Sequence, residues 1–232
     1  MEKVMIFNVS SRFAIFRKPY STTSSLSYDF PPRTVVIGMI AAVIGLDNGG
    51  GKAKYFEELK DLKIALEILN PVMKKRTVFN NLNTKSHASS RHILTITEML
   101  INPAYRIYIW YNNEKVELLK KFLAKKESYY TPYLGVSNCI AKLDLVGDSK
   151  IEEIDPKEGM VVNSVIPRSD FFFVPMPSQK YVFDTLPYEI SPTREFVSNK
   201  EYVYNPNGGG VKVKFQEKKP FKVSNGKILS FM

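Results

Sequence analysis

Residues Val35 to Leu46 read VVIGMIAAVIGL, twelve consecutive apolar or glycine residues held between Thr34 and Asp47. As a helix this run covers about 18 Å at roughly 1.5 Å per residue. A bilayer span needs roughly 20 such residues, so the segment must be buried in protein. Gly38, Ala41, Ala42 and Gly45 fall on one side at spacings of three and four, while Val36, Ile37, Ile40, Val43 and Ile44 crowd the other. The spacing predicts a core helix over 34–46, with Pro32 near its start and Thr34 as N-cap. Its slim side predicts close backbone approach to a neighbour, with the helix packed between a sheet and a second surface. The glycines that follow, GLDNGGGKA, stand on the wrong side of a helix for phosphate binding. A phosphate loop runs strand, glycines, Lys-Ser/Thr, helix, and here Lys52 precedes Ala53. A helix C-terminus also carries negative partial charge. The run is a helix stop and connection, and nucleotide hydrolysis is not supported.

The flanking periodicities supply the rest of the frame. KVMIFNVS (3–10) is a buried strand, and DLKIALEIL (61–69) alternates Leu62, Ile64, Leu66 and Ile68 against Lys63 and Glu67. AYRIYIWYN (104–112) sets Tyr105, Ile107 and Ile109 opposite Arg106, Tyr108 and Trp110. KVELLKKFLAKK (115–126) carries Val116, Leu119, Phe122 and Leu123 on one helical stripe, and SNCIAKLDLVG (137–147) is a further strand. The order strand, helix, strand, strand, helix, strand predicts an α+β, ferredoxin-like βαββαβ domain over 1–147, the scaffold also used by RNA-recognition modules. Residues 71–103 are inserted between its second and third strands. After the acidic stretch DSKIEEIDPKEG (148–159), short runs at 171–174, 180–183, 201–204 and 211–215 predict a smaller β-rich lobe over 148–232.

Charge narrows the function. Lys and Arg number 33 against 23 Asp and Glu, a net +10, which favours a polyanionic partner, nucleic acid before a membrane surface. Cys139 is the single cysteine, which excludes an internal disulfide and a cysteine-rich zinc site. The N-terminus shows no secretory leader pattern, so a cytoplasmic setting is expected. No cofactor is called for. Within the insert, Lys74, Lys75, Arg76, Lys85 and Arg91 face only Glu98 in sequence, and His87 and His92 are the only histidines. Asn80, Asn83 and neighbouring Ser and Thr residues add side chains suited to phosphate, sugar and base edges. Long insertions of this kind are usually functional or disordered. A second basic cluster, Arg12, Arg17, Lys18 and Arg33, interleaves with Tyr20 and Tyr28 and with Phe13 and Phe16, the last two expected in the core. Cations beside aromatics suit single-stranded RNA. His87 or His92 with a Lys or Tyr offers the parts of a metal-independent ribonuclease. No paired carboxylates recur at metal spacing and no nucleophile elbow is present. The sequence therefore reads first as an RNA-binding protein without catalysis, and second as such a nuclease.

FAIFRKPYSTTSSLSYDFPPRTVVIGMIAAVIGL (13–46) resembles the N-terminal signature of the CRISPR-associated Cas-five proteins, with its F-R-K-P, Y-x-F-P-P-R-T and G-x-I-A-A-x-x-G-L elements. SRHILTITEMLINPAYRIYIW (90–110) and YTPYLGVSNCIAKL (130–143) follow in the family's order, so the likeness covers 1–147 well and the tail loosely. The resemblance implies a RAMP-type ferredoxin-like core, a β-hairpin thumb at 71–103 and a variable C-terminal lobe. It implies a subunit of the type I Cascade surveillance complex in antiviral defense, capping one end. Such a subunit holds the 5′ handle of the crRNA and contacts the backbone and large subunits. One branch of the family cleaves precursor RNA, but its Tyr, Lys and His arrangement is not matched here, so no catalytic residue is carried over.

Overall fold

The computed structural model describes residues 2–21, 24–50, 52–82, 92–110, 113–156, 159–177, 179–215 and 218–232. The first half comprises β1 (Glu2–Ser10), β2 (Phe13–Ala14), β3 (Ser24–Ser25), α1 (Arg33–Ile44), α2 (Lys54–Leu59), β4 (Ile64–Ile68), β5 (Lys74–Leu82), β6 (His92–Ile101), β7 (Ala104–Trp110) and α3 (Glu114–Lys125). The second half is almost all strand: β8 (Lys142–Glu153), β9 (Met160–Val162), β10 (Ile166–Pro167), β11 (Phe171–Phe173), β12 (Val182–Ile190), β13 (Phe196–Tyr204), β14 (Val211–Phe215), β15 (Phe221–Val223) and β16 (Ile228–Leu229). The result is a mixed α/β fold with many strands and few helices.

The central sheet runs β16-β15-β8-β1-β7-β4 among the described residues, with every neighbouring pair antiparallel. Period-two alternation sends Met5, Phe7, Val9, Ile64, Leu66, Ile68, Tyr105, Ile107 and Ile109 to one face, where they pack against α1 and α3. The opposite face carries Lys63, Glu67, Arg106, Tyr108 and Trp110. It is covered by the end of the chain. Val4, Ile6, Ala65, Tyr108 and Ile151 pack with Val223 and Leu229, and Trp110 meets Phe221 and Phe231 edge-on at 4.9 and 5.3 Å. Every residue of β4 is buried. Glu67 is tolerated there because Tyr108 Oη donates to it at 2.7 Å and Lys227 pairs with it. Burial and the Glu67 charge push the Tyr108 phenol upward. Each Val or Leu sealed beneath this flap contributes about 1.5–3 kcal/mol relative to exposure.

Helix α1 begins one turn position earlier than expected. Pro32 occupies the cap position and Thr34 is the second helical residue, so Thr34 does not cap. The helix stops at Gly45, whose φ of 77° is left-handed and whose N–H returns to the Ala41 carbonyl. Gly45 therefore belongs to the exit and not to the slim side. Two further terminal carbonyls, those of Val43 and Ala42, accept from the backbone N–H groups of Tyr129 and Tyr130 at 3.0 and 2.9 Å. On the slim side Ala41 is buried and the Tyr55 ring lies against Gly38. Thr34, Gly38 and Ala42, spaced by four, line an open cleft. Helix α3 is capped by Asn113, whose side chain accepts from Val116 N–H at 3.2 Å, and carries Glu114 and Glu117 in its first turn.

Strand β8 starts at Lys142, leaving Cys139 buried in the preceding turn, and runs on to Glu153. The expected boundary at 147/148 falls inside it. The acidic residues there continue the ladder because Ile151 pairs with both Glu2 and Val223. Beyond β8, β10-β13-β12 and β11-β14-β9 form two small sheets around Val162, Ile166, Val203, Val211, Val213 and Phe215. Leu186, Tyr202 and Tyr204 from this half nevertheless enter the main core.

Candidate nucleic-acid interface

The two basic clusters of the sequence belong to one sheet. Strands β5 and β6 pair as an antiparallel hairpin from Lys74–Leu100 to Leu82–His92. On the other edge of β6, β2 pairs at Phe13–Ile101 and β3 pairs in parallel at Ser24–Ile96. The strap of residues 11–30 thus runs along the base of the hairpin, and folds back on itself through Lys18 N–H to Leu26 O at 2.8 Å and Tyr28 N–H to Phe16 O at 2.9 Å. Residues 83–91 lie outside the described residues, so Asn83, Lys85, His87 and Arg91 have no structural account.

On the hairpin, Lys74 is committed to the base. Its Nζ lies 2.6 Å from Asp29 and 3.0 Å from Glu98, and donates to Ser27 O at 2.7 Å. Burial would raise the Glu98 carboxyl, but the Lys74 hydrogen bond and charge, the Ser27 amide and Arg76 outweigh it and hold it below its ordinary range. Asp29 also accepts from Tyr204 Oη at 2.8 Å, which ties the hairpin base to the C-terminal half. Lys75, Arg76 and Asn80 are exposed along β5, Arg76 reaching Glu98 at 3.7 Å. His92 is exposed and stands across from Leu82. The apolar character of this hairpin was missed at the level of sequence. Val78, Phe79, Leu82, Ile93, Leu94 and Ile96 are all exposed, Leu82 at 64% and Leu94 at 69%. Alternation by type was present in the sequence, but only the absence of any covering element among the described residues shows that both faces stay open.

On the strap, Arg12 and Arg17 are exposed, Arg12 lying 5.5 Å over the Phe13 ring and Arg17 donating to Ser21 O at 3.1 Å. Tyr20 is exposed. Phe16 is in the core as expected, whereas Phe13 is only partly buried. Lys18 pairs with Asp184 at 2.6 Å, and although burial pulls its ammonium down, the Asp184 bond and charge carry it above its usual value. Two expectations are corrected. Tyr28 is 2% exposed, with its ring 4.8 Å from the Lys18 ammonium, and burial together with the Asp184 charge pushes its phenol up to about 12. It is a core residue and cannot stack on a base. Arg33 is also 2% exposed. Its guanidinium donates to the carbonyls of Lys60 and of Leu62 (3.2 Å) and lies 4.8 Å from the Tyr188 ring and 5.8 Å from that of Phe56. Burial lowers its pKa. Arg33 joins α1 to the end of α2, and no phosphate can reach it. Phe30 completes this core, edge-on to Tyr204 at 5.0 Å and Tyr202 at 6.1 Å.

The surface that remains carries Lys75, Arg76, Asn80 and His92 on the hairpin, with exposed apolar side chains beside them, and Arg12, Arg17 and Tyr20 on the strap along the other edge of β6. Such a surface can neutralise phosphates and pack against apolar neighbours, and nothing among the described residues groups His, Cys, Asp or Glu for a metal. No helix among them is long and apolar enough to cross a membrane. Residues 4–201 match the family model described as CRISPR-associated protein (Cas_Cas5). The chain belongs to that family. The match extends well beyond 147, through β12 and into β13, so the family pattern includes much of the C-terminal half. No curated protein matches the sequence. Among solved structures, the fold is similar to a CRISPR protein from Archaeoglobus fulgidus, with TM-score 0.58, 17% identity, and 98% and 97% of the two chains covered. It is also similar to a chain of a CRISPR RNA-guided surveillance complex (TM-score 0.56, 14% identity, 91% of each chain). A third likeness is to a chain of the Type III-B Cmr-beta complex bound to cognate target RNA and AMPPnP (TM-score 0.52, 15% identity, 90% and 86%).

Proposed function

We propose that this family member is a non-catalytic RNA-binding subunit of a type I CRISPR Cascade complex, holding the 5′ handle of the crRNA and capping the backbone. One observation carries the reading: the strap that bears the exposed Arg12 and Arg17 pairs, through β2 and β3, with the same strand β6 whose other neighbour, β5, bears the exposed Lys75 and Arg76. Central strands in the order β8-β1-β7-β4, with α1 and α3 on one face, support a ferredoxin-like core of the RAMP type. The projecting β5–β6 hairpin is then its thumb. Its exposed Leu82, Ile93, Leu94 and Ile96 suit contact with the backbone or large subunit, since single chains rarely leave an apolar patch of this kind uncovered. Binding is favoured over cleavage because His92 stands opposite Leu82, with no hydrogen bond or ion pair to a described residue to orient it as a base.

The test reverses charge only where the cations are exposed: Arg12→Glu, Arg17→Glu, Lys75→Glu and Arg76→Glu together. RNA affinity should fall at least tenfold, and the slope of log affinity against log salt should flatten by about 0.7 for each phosphate no longer neutralised. Unchanged binding would sink the proposal. Incubating the protein with repeat RNA in EDTA tests the catalytic half, and specific cleavage abolished by His92→Ala would overturn it.

A further inference from the structure

The slim side of α1 opens onto a cleft of about 630 Å³ whose walls come from α1, α2, the 129–135 loop and the turn after β12. We propose that this cleft receives one nucleobase of a bound RNA strand, an inference that rests on the RNA-binding reading above and gives that reading a second point of attachment.

Its depth comes from side-chain size. Thr34, Val35, Gly38 and Ala42 are the partly buried positions of a helix otherwise sunk in the core, and larger residues at 34, 38 and 42 would fill the space. Its walls set three tyrosines among the aliphatic side chains of Val35, Met39, Leu46 and Ile190. The Tyr55 ring lies against Gly38, at 3.6 Å from where a Cβ would stand, and Tyr130 and Tyr133 remain 52% and 46% exposed at the mouth. The Tyr130 backbone is anchored by its N–H bond to Ala42 O at 2.9 Å, and Tyr129 packs edge-on against its ring at 4.8 Å. Preset aromatic faces with few rotors suit stacking of a planar base.

Polar groups complete the lining. Arg194 holds a φ of 66°, a conformation costly for any residue but Gly or Asn, and the fold enforces it. Its N–H bonds Ser191 O at 2.9 Å, and its guanidinium donates to Asn48 Oδ1 at 2.8 Å. The Asp47 carboxylate also lines the cleft, an acceptor for an exocyclic amine or ribose hydroxyl. A cation, an amide, a carboxylate and tyrosine hydroxyls around these walls match a nucleotide better than the aliphatic anchor of a protein partner.

The cleft is also bolted to the basic strap. Gly135, at φ 88°, sits so close to the strap that a Cβ would lie 1.8 Å from Ile15 O. Ile15 N–H bonds Leu134 O at 3.3 Å, and Ser11 Oγ donates to Ile140 O at 2.8 Å. Phosphates on Arg12 and Arg17 and a base in the cleft can therefore belong to the same strand.

The experiment uses the full chain and a single-stranded RNA of about eight nucleotides, read by fluorescence anisotropy. The same strand is also made with one abasic residue or one 2-aminopurine at each position in turn. Ala42→Leu fills the cleft from a partly buried position, and Arg194→Asn removes the guanidinium while keeping a residue that accepts positive φ. Each variant should lose roughly tenfold in affinity and abolish the quenching of 2-aminopurine at one position. Removing the base at that position should cost wild type the same factor and cost Ala42→Leu nothing further. If Ala42→Leu melts early, Arg194→Asn carries the test alone. Wild-type binding with both variants unaffected overturns the cleft and leaves the RNA-binding reading standing. Absence of RNA binding by wild type removes both. Variants that keep RNA affinity but lose a co-purifying protein chain overturn the base pocket in favour of a protein socket.

Discussion

The strap and the hairpin both carry clustered cations and have quite different fates. Both combine basic, aromatic and hydroxyl residues, and both lie along β6. In the strap and the start of α1 that follows it the fold absorbs much of that chemistry: Arg33 and Tyr28 are buried, Lys18 is paired with Asp184, and Arg12, Arg17 and Tyr20 remain outside. Among the described cations of the hairpin only Lys74, at the base, is absorbed, by Asp29 and Glu98, while Lys75 and Arg76 stay exposed. Distance from the core makes the difference. A segment folded back over a core meets carboxylates and carbonyls from remote parts of the chain, and a projecting hairpin meets few. The Y-x-F-P-P-R-T motif, whose Tyr28, Phe30, Pro31, Pro32 and Arg33 are all buried, is consequently a folding element.

The sharpest way to break this contrast is Arg33→Ala. It strands the Lys60 and Leu62 carbonyls in the interior and opens a void, and should cost about 3 kcal/mol or more, read as a lower urea midpoint. A loss within about 0.5 kcal/mol, the usual range for a surface site, would return Arg33 to the surface and to the RNA. Next in size, Lys18→Ala should cost about 1–3 kcal/mol by leaving Asp184 partly buried without its partner, while charge reversal at Lys75 should leave the midpoint unmoved.

A smaller effect follows from pH. The Glu98 carboxyl titrates below its ordinary value of 4.5 in the folded chain, so unfolding takes up a proton in acid. The stabilisation is present above about 4.5 and is lost as pH falls through the lower folded value. Urea midpoints between about pH 6 and pH 3 should decline, and Glu98→Gln should make the decline shallower. An equal slope in the variant would remove Glu98 from the hairpin base. Smallest of all, Arg17→Ala should leave the thermal midpoint unchanged while weakening RNA binding and reducing its salt slope by about 0.7.

How far the site could be read ahead of the fold varies by residue. Arg12, Arg17, Lys75, Arg76, Asn80 and His92 stand out by composition and are exposed. Arg33 and Tyr28 stand out by the same signal and are not, because composition is blind to burial. Asp29 and Asp184 carry no signal at all, and Asp184 lies 166 residues from the lysine it binds. The exposed apolar hairpin was hidden for a similar reason: alternating apolar residues announce a strand, and only the surroundings show whether anything covers it.

The sequence by itself determined the local elements around the central sheet, since period-two and 3.6-residue patterns depend on neighbours a few positions apart. It also determined the basic character and the glycine-bearing connection that follows α1. Tertiary structure alone decided that residues 221–232 seal the second face of the sheet, that β8 runs past 147, and which cations stay free. It also left Thr34, Gly38 and Ala42 of α1 lining an open cleft. Burial, ion pairing and cavity formation depend on where distant segments meet, and short-range periodicity carries no record of that meeting.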